Sequence, residues 1–233
     1  MCRSPNPIAS FHHDSFVILR NFLDRRACAE LRQAADTVLA WSRAQCAETS
    51  HSTPRISLLT QATSFEHGAA GLAPILAFAS SPSVCSLLQA LAERDSAGIP
   101  QLKDAHYYHE QTKRDWDGDW HRDSQFSRSD PDLERELVGK TYLLHVRVAL
   151  APEADDRLEL VPGSHARWDS EQELRIRRGS DRASAQMPGA VRAVLQAGDA
   201  CLFHGWSIHR ATYRRAPVRR TLDLLYGSAG TKS

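Results

Sequence analysis

Trp120-His121-Arg122-Asp123 is the segment of this chain whose residue types and spacing best suit metal chemistry. In an extended strand, residues i and i+2 point to the same face, so His121 and Asp123 can offer an imidazole nitrogen and a carboxylate oxygen to one point. Two histidines and one carboxylate on one face of an octahedral ion leave three adjacent positions open, the arrangement used by non-haem Fe(II) oxygenases. The second histidine must come from elsewhere. His209 is the best candidate, just past the strand-like run 200–204 and the Gly205-Trp206 turn. A His-x-Asp triplet also arises by chance in a chain with eleven histidines, where it reads as a solvated or salt-bridged pair.

The elements that must position these residues follow from pattern and composition. The chain has 233 residues, 29 Lys+Arg against 28 Asp+Glu, and 42% apolar residues, which is an ordinary globular composition. A net charge of +1 argues against a dedicated nucleic-acid binder, whose affinity rests on an excess of cations facing phosphates. The apolar run 69–79 is shorter than the roughly 18 residues a membrane span needs, and it contains Gly71 and Pro74. The N-terminus carries no apolar signal region, so a cytoplasmic protein without a membrane segment is expected. Five scattered cysteines form no Cys-x-x-Cys pair and read as reduced, mostly buried thiols.

Phe16-Val17-Ile18-Leu19 reads as a short strand, and Asp24 as the N-cap of a helix over 25–47 with Leu31, Ala34, Ala35, Val38 and Trp41 on one face. Two short helices over 70–92 are expected to break at Ser81-Pro82-Ser83. Short strand patterns then follow at 103–112, 140–150, 157–161, 191–196, 200–204 and 219–226. Helices first and strands afterwards predict one α+β, mainly β domain over 1–233, with a helical part over about 1–100 packed outside a β-sandwich or barrel over about 101–228.

Four motifs stand in a recognisable order: Trp120-His121-Arg122-Asp123, the run 158–165 ending Pro162-Gly163-Ser164-His165, the run 198–205, and Ile208-His209-Arg210 followed by Arg219-Arg220-Thr221-Leu222. Together they resemble the phytanoyl-CoA dioxygenase family of Fe(II)- and 2-oxoglutarate-dependent oxygenases, and the segment 11–23 resembles that family's N-terminal entry. The resemblance implies a double-stranded β-helix, a jelly-roll or cupin-like barrel. It implies Fe(II) held by His121, Asp123 and His209, with 2-oxoglutarate and O2 as cosubstrates. It implies hydroxylation of a C–H bond of a small molecule, with succinate and CO2 released. No nucleic-acid or membrane partner is expected, and the chain is expected as a monomer or weak homodimer. A carboxylate at position 123 favours hydroxylation over halogenation, in which that position is a small residue.

The family places an Arg for the far carboxylate of 2-oxoglutarate ten or eleven residues after the distal histidine, which leaves Arg219 or Arg220. Strand parity favours Arg219. Arg220, Leu222, Leu224 and Tyr226 form an apolar face suited to packing under helices, whereas Arg219, Thr221 and Asp223 form a polar face suited to the interior. Arg220 then reads as a snorkelling side chain, with substrate contact as the alternative. The family's Gly-Ser after the distal histidine is replaced by Arg210-Ala211-Thr212, so Thr212 is the candidate hydroxyl beside Arg219. His145 and Arg147 share one face of strand 140–150 and would reach the cosubstrate or substrate. The family often has an aromatic residue where Arg147 stands, and this departure reads as a partner for an acidic substrate group or as an exposed edge-strand Arg. Tyr107, His109 and Gln111 fall on one side of strand 103–112 and are candidates for lining the pocket, Gln111 near the cosubstrate. Trp116 and Trp120 flank a Gly-containing loop and read as a pocket wall. His106, His165 and His204 suit structural hydrogen bonds. Arg210, Arg214, Arg215, Arg219 and Arg220 place five cations in eleven residues, which reads as an anion-attracting rim or as a solvated basic loop. Two competing readings remain: a cupin-type metalloprotein in which His145 or His204 joins the ligands without 2-oxoglutarate, and a non-catalytic binding module.

Overall fold

The computed structural model describes residues 6–45, 55–59, 65–95, 98–109, 114–126, 130–138 and 143–228. Asn6 caps helix α1 (Pro7–Asp14), its side chain accepting from the Ile8 N–H at 3.0 Å. The capped helix leads into strand β1 (Phe16–Leu19). Asp24 caps α2 (Arg25–Gln45) by accepting from the Ala27 N–H at 2.7 Å, as its sequence position predicts. Leu31, Ala34, Ala35, Val38 and Leu39 are buried along one stripe of α2, the 3.6-residue period expected of a helix packed on one side.

After β2 (Arg55–Ser57) come α3 (Phe65–Ala79) and α4 (Pro82–Asp95), with Pro82 in the first turn of the second helix. The segment Gly71–Glu93 has the length and hydropathy of a membrane span. In this structure it is broken at Ser80 and Ser81, and Leu72, Ile75, Val84, Leu88 and Leu91 face the core.

The remaining strands are β3 (Gln101–Tyr108), β4 (Trp116–Asp117), β5 (Leu143–Ala149), β6 (Asp155–Leu160), β7 (Val191–Leu195), β8 (Ala200–His204), β9 (His209–Tyr213) and β10 (Thr221–Gly227). Helices α5 (Pro131–Arg135) and α6 (Glu171–Arg178) lie between them. The strands form two antiparallel sheets, ordered β1-β8-β5-β10-β3-β2 and β4-β9-β6-β7. Alternation assigns the two faces of the larger sheet. Leu144, Val146, Val148, Leu222, Leu224, Tyr226, Ala105 and Tyr107 pack with the helices on its outer face. Ala149, Cys201 and Phe203 on its inner face join Leu158, Leu160, Ala193 and Leu195 of the smaller sheet, so the sheets pack face to face. Cys28 and Cys201 are buried and Cys85 is exposed, and no disulfide occurs among the described residues.

Candidate metal centre

His121 and His209 are backbone partners. The His121 N–H donates to the His209 carbonyl at 3.0 Å, and the His209 N–H returns the bond at 2.9 Å. This brings the two rings to 4.3 Å between centroids. Asp123 arrives by a different route from the one its spacing suggests. It does not continue a strand but opens a 3-10 turn over Asp123–Phe126, anchored by its N–H to the Gly205 carbonyl at 3.0 Å. The turn carries the carboxylate back under the bridge, and Oδ1 stands 3.7 Å from Nε2 of each histidine. One ligand atom from each of the three residues lies within 4.8 Å of the others.

Both histidines present the same ring atom inward. Nδ1 of His121 donates to the Asp119 carbonyl at 2.7 Å, and Nδ1 of His209 donates to the Ser207 carbonyl at 2.9 Å. A carbonyl can only accept, so Nδ1 carries the hydrogen and Nε2 keeps its lone pair for an ion. Burial lowers the pKa of both imidazoles, and that of His209 falls to about 3 with His121 adding to the effect. At neutral pH both rings are therefore uncharged donors.

Behind Asp123 runs a buried chain of charges. Nε2 of His145 lies 2.8 Å from Asp123 Oδ2, and its Nδ1 lies 3.1 Å from Asp223 Oδ1. Burial alone would lower the His145 pKa, but Asp223 and Asp123 on its two nitrogens outweigh burial and push it up to about 10. Arg147 closes the chain with Nη2 at 2.6 Å from Asp223 Oδ2. His145 and Arg147 share one inward face as expected, but both ring nitrogens of His145 are taken by Asp123 and Asp223 and leave none for a substrate.

Arg219 also faces inward. Its Nε lies 3.1 Å from Asp155 Oδ2 and 3.3 Å from Thr221 Oγ1, and its guanidinium covers the Tyr108 ring at 4.2 Å. Nη1 and Nη2 of Arg219 are buried with no hydrogen-bond partner, as is Nη1 of Arg147. Unmatched buried cationic donors are costly unless an anion meets them. Arg220 points the other way, toward α2, with Nε 3.2 Å from Asp36 Oδ1 and Nη1 on the His109 carbonyl. It lies outside the interior and is removed as a substrate contact.

Four further expectations change. Tyr107 and His109 do not line the interior: the Tyr107 hydroxyl donates to Asp36 on α2 at 2.8 Å, and His109 lies beside Arg43 of the same helix. The apolar outer face of β3 needs Ala105 and Tyr107, so the opposite parity turns Tyr108 inward. Thr212 shares the outward face of β9 with Arg210, which pairs with Glu159 at 2.7 Å, and the hydroxyl beside Arg219 is that of Thr221. The arginine run 210–220 is not a cationic rim, because each guanidinium has a carboxylate: Glu159, Asp117, Asp115, Asp155 and Asp36 in turn. Trp116 is 40% exposed and stacks on Tyr213 with centroids 3.9 Å apart, while Gln111 lies outside the described residues. His204 keeps a structural role, its Nδ1 accepting from the Trp206 N–H at 3.1 Å.

Asp155 and Tyr108 are site-lining residues that the sequence does not single out, whereas Asp223 lies on the inward polar face of β10 as its parity predicts. Asp155 precedes the strand pattern at 157–161, and Tyr108 stands on the parity opposite to Tyr107 and His109. Arg122 lies between His121 and Asp123 in sequence yet is wholly buried, a state that residue type does not announce.

Two facing antiparallel sheets with helices on one side carry a His-x-Asp…His trio that could hold a metal ion, the ligand types found in non-haem iron proteins. The chain belongs to the phytanoyl-CoA dioxygenase family, whose model matches residues 11–221. No curated protein matches it in sequence. Among solved structures it is similar to EvdO2 from Micromonospora carbonacea var. aurantiaca complexed with 2-oxoglutarate, at 17% identity and a TM-score of 0.64, over 100% of this chain and 94% of that one. EctD from S. alaskensis with 2-oxoglutarate and 5-hydroxyectoine matches at 17% identity and 0.67, over 97% and 76%. The epimerase SnoN, in complex with Fe3+, alpha ketoglutarate and nogalamycin RO, matches at 17% identity and 0.58, over 96% and 82%. These likenesses are of fold.

Proposed function

We propose that this protein is an Fe(II)- and 2-oxoglutarate-dependent oxygenase built on a double-stranded β-helix, which hydroxylates a C–H bond of a small metabolite. The observation that carries the reading is a pair of preformed, complementary sites. Two neutral imidazoles and one carboxylate suit a divalent ion, and the buried, unpartnered Nη atoms of Arg219 suit the far carboxylate of a keto diacid. His121, Asp123 and His209 would hold the iron. When both are bound, iron and 2-oxoglutarate supply an oxidant able to remove hydrogen from an unactivated C–H bond, using O2 and releasing succinate and CO2.

The chain's own residues supply orientation. Asp155 and Thr221 fix the Arg219 Nε, which leaves both Nη atoms as a fork aimed at a carboxylate. Tyr108 supports that guanidinium from below and also meets Arg147, whose Nη1 adds one more donor to the cosubstrate arm. Phe126, 73% exposed with its ring 5.1 Å from that of His121, offers an apolar contact at the lip of the site to the substrate carbon skeleton.

The test is anaerobic addition of Fe(II) and 2-oxoglutarate, which should give a weak visible charge-transfer band that His121→Ala abolishes. Succinate release under O2 should depend on the same residue. A protein that binds Fe(II) but shows neither band nor succinate is not an enzyme of this kind. With a substrate in hand, a product heavier by one oxygen distinguishes hydroxylation from epimerisation, the reaction named for SnoN.

A further inference from the structure

The two oxygens of Asp123 have different neighbours. Oδ1 lies 3.7 Å from Nε2 of both His121 and His209, while Oδ2 is held 2.8 Å from Nε2 of His145. His145 is itself braced. Its ring stacks on Phe203 with centroids 4.2 Å apart and 9° between planes, and its Nδ1 meets Asp223 at 3.1 Å. Asp223 is fixed in turn by Arg147 at 2.6 Å. Both ring nitrogens of His145 are thus occupied by carboxylate oxygens, Nε2 by Asp123 and Nδ1 by Asp223, so the ring faces Asp123 as a hydrogen-bonding partner. Gly205 leaves room for Oδ2, because a Cβ at that position would stand 2.5 Å from it. The hydrogen bond to His145 distinguishes the two oxygens of the carboxylate.

We propose that His145 is a positioning residue that holds Asp123 as a one-oxygen ligand and thereby keeps one coordination position of the metal open. The inference rests on the metal reading above. Two imidazoles, a two-oxygen aspartate and a chelating keto acid would fill an octahedral ion. With Oδ2 tied to His145, the aspartate takes one position and a sixth stays free for a diatomic gas.

His145→Phe and His145→Gln test this against the wild type. The phenyl ring preserves the flat contact with Phe203 but donates nothing, whereas the glutamine amide retains an N–H for Oδ2. Mn(II) titration, followed by the electron paramagnetic resonance of the free ion, establishes whether each protein binds metal. Nitric oxide is then added anaerobically to the Fe(II) protein with and without 2-oxoglutarate, as a spectroscopic probe of the open position. The wild type and His145→Gln should form the S = 3/2 adduct in both conditions. His145→Phe should form it alone and lose it when 2-oxoglutarate is present. A full adduct in His145→Phe with 2-oxoglutarate, or loss of it in His145→Gln, overturns the proposal. A crystal structure of the wild type with Mn(II) decides the matter even if His145→Phe does not fold. Asp123 should contact the ion through Oδ1 alone, with Oδ2 on His145, and either bidentate Asp123 or metal-bound His145 overturns the assignment. Failure of the wild type to bind Mn(II) at all defeats the underlying metal reading as well.

Discussion

Arg122 meets Asp169 at 2.7 Å with neither side chain exposed to solvent, and it does so from between His121 and Asp123. Its remaining donors hold the Ser164 carbonyl at 2.8 Å, the Arg167 carbonyl at 3.2 Å and the Trp206 carbonyl. Asp169 also takes Arg177 at 2.6 Å, and Arg177 takes Glu134 at 3.0 Å. The turn bearing Asp123, helix α5 and helix α6 are thereby tied into one buried knot of charge.

Breaking that knot at one end should be severe. Arg122→Met leaves Asp169 short of a partner and three carbonyls without a donor, and it is expected to cost about 3–5 kcal/mol. Arg122→Lys should rescue little, since an ammonium cannot reproduce the planar fork. Urea denaturation measures both, and a loss below about 1 kcal/mol for Arg122→Met would show that this ion network contributes nothing to stability.

The two adjacent arginines should separate cleanly. Arg219→Met removes two charge-assisted hydrogen bonds worth roughly 1.5–3 kcal/mol each, so affinity for 2-oxoglutarate should fall by about a hundredfold or more. Arg220→Met, on the helix side, should leave that affinity within about twofold. Titration of the anaerobic Fe(II) protein with 2-oxoglutarate reads both. The reverse ranking would place the cosubstrate on the wrong face of β10.

Neighbouring tyrosines on β3 offer the same contrast. Tyr108→Leu removes the ring under Arg219 and Arg147, a cation–π support of about 0.5–2 kcal/mol, and should weaken 2-oxoglutarate binding by roughly 3- to 30-fold. Tyr107→Phe loses only the bond to Asp36 and should lower stability by about 1 kcal/mol without changing that binding. Equal effects on cosubstrate affinity would contradict the assigned parity.

Glu173 gives the fold a pH dependence remote from the metal site. Burial alone would raise its pKa, but the Arg167 guanidinium and the Ser170 N–H and hydroxyl outweigh it and draw it down to about 2. A depressed folded-state pKa means stability that is present above the unfolded value of about 4.3 and lost as pH falls toward 2. Arg167 is half exposed, so the expected contribution is modest, about 1–2 kcal/mol including the capping box of α6. Glu173→Gln should be less stable than the wild type at pH 7 and should converge with it near pH 2. A constant difference across that range would assign the effect to packing.

The convergence of His121, Asp123 and His209 was legible in the sequence because ligand chemistry restricts residue types so strongly. The reason behind it was only half right, since a strand and a bridge plus turn both bring His121 and Asp123 together. Parity worked for Arg219 because the alternation Leu222, Leu224, Tyr226 marks one face of β10 unmistakably. It failed on β3, where Tyr107 and Tyr108 are both aromatic and the pattern does not say which one the helices cover. The isolated Arg122, Asp155 and Glu134 were opaque for another reason. Single charged residues read as solvated, and only the tertiary fold reveals the partners that allow their burial. The arginine run 210–220 misled in the opposite sense, because its counter-ions come from segments distant in sequence.

The reciprocal backbone bonds of His121 and His209 make the two imidazoles neighbours by registry as well as by attraction. An ion seated between them would act as a removable cross-link between segments that the chain order keeps far apart. Stabilisation by a tightly bound ligand reaches about 2.7 kcal/mol at a hundredfold excess over its dissociation constant. Chelation should therefore speed amide exchange most steeply along β9 and the 119–126 stretch, leaving the helix-covered strands almost unchanged, so that metal loss loosens one flank of the protein before any other.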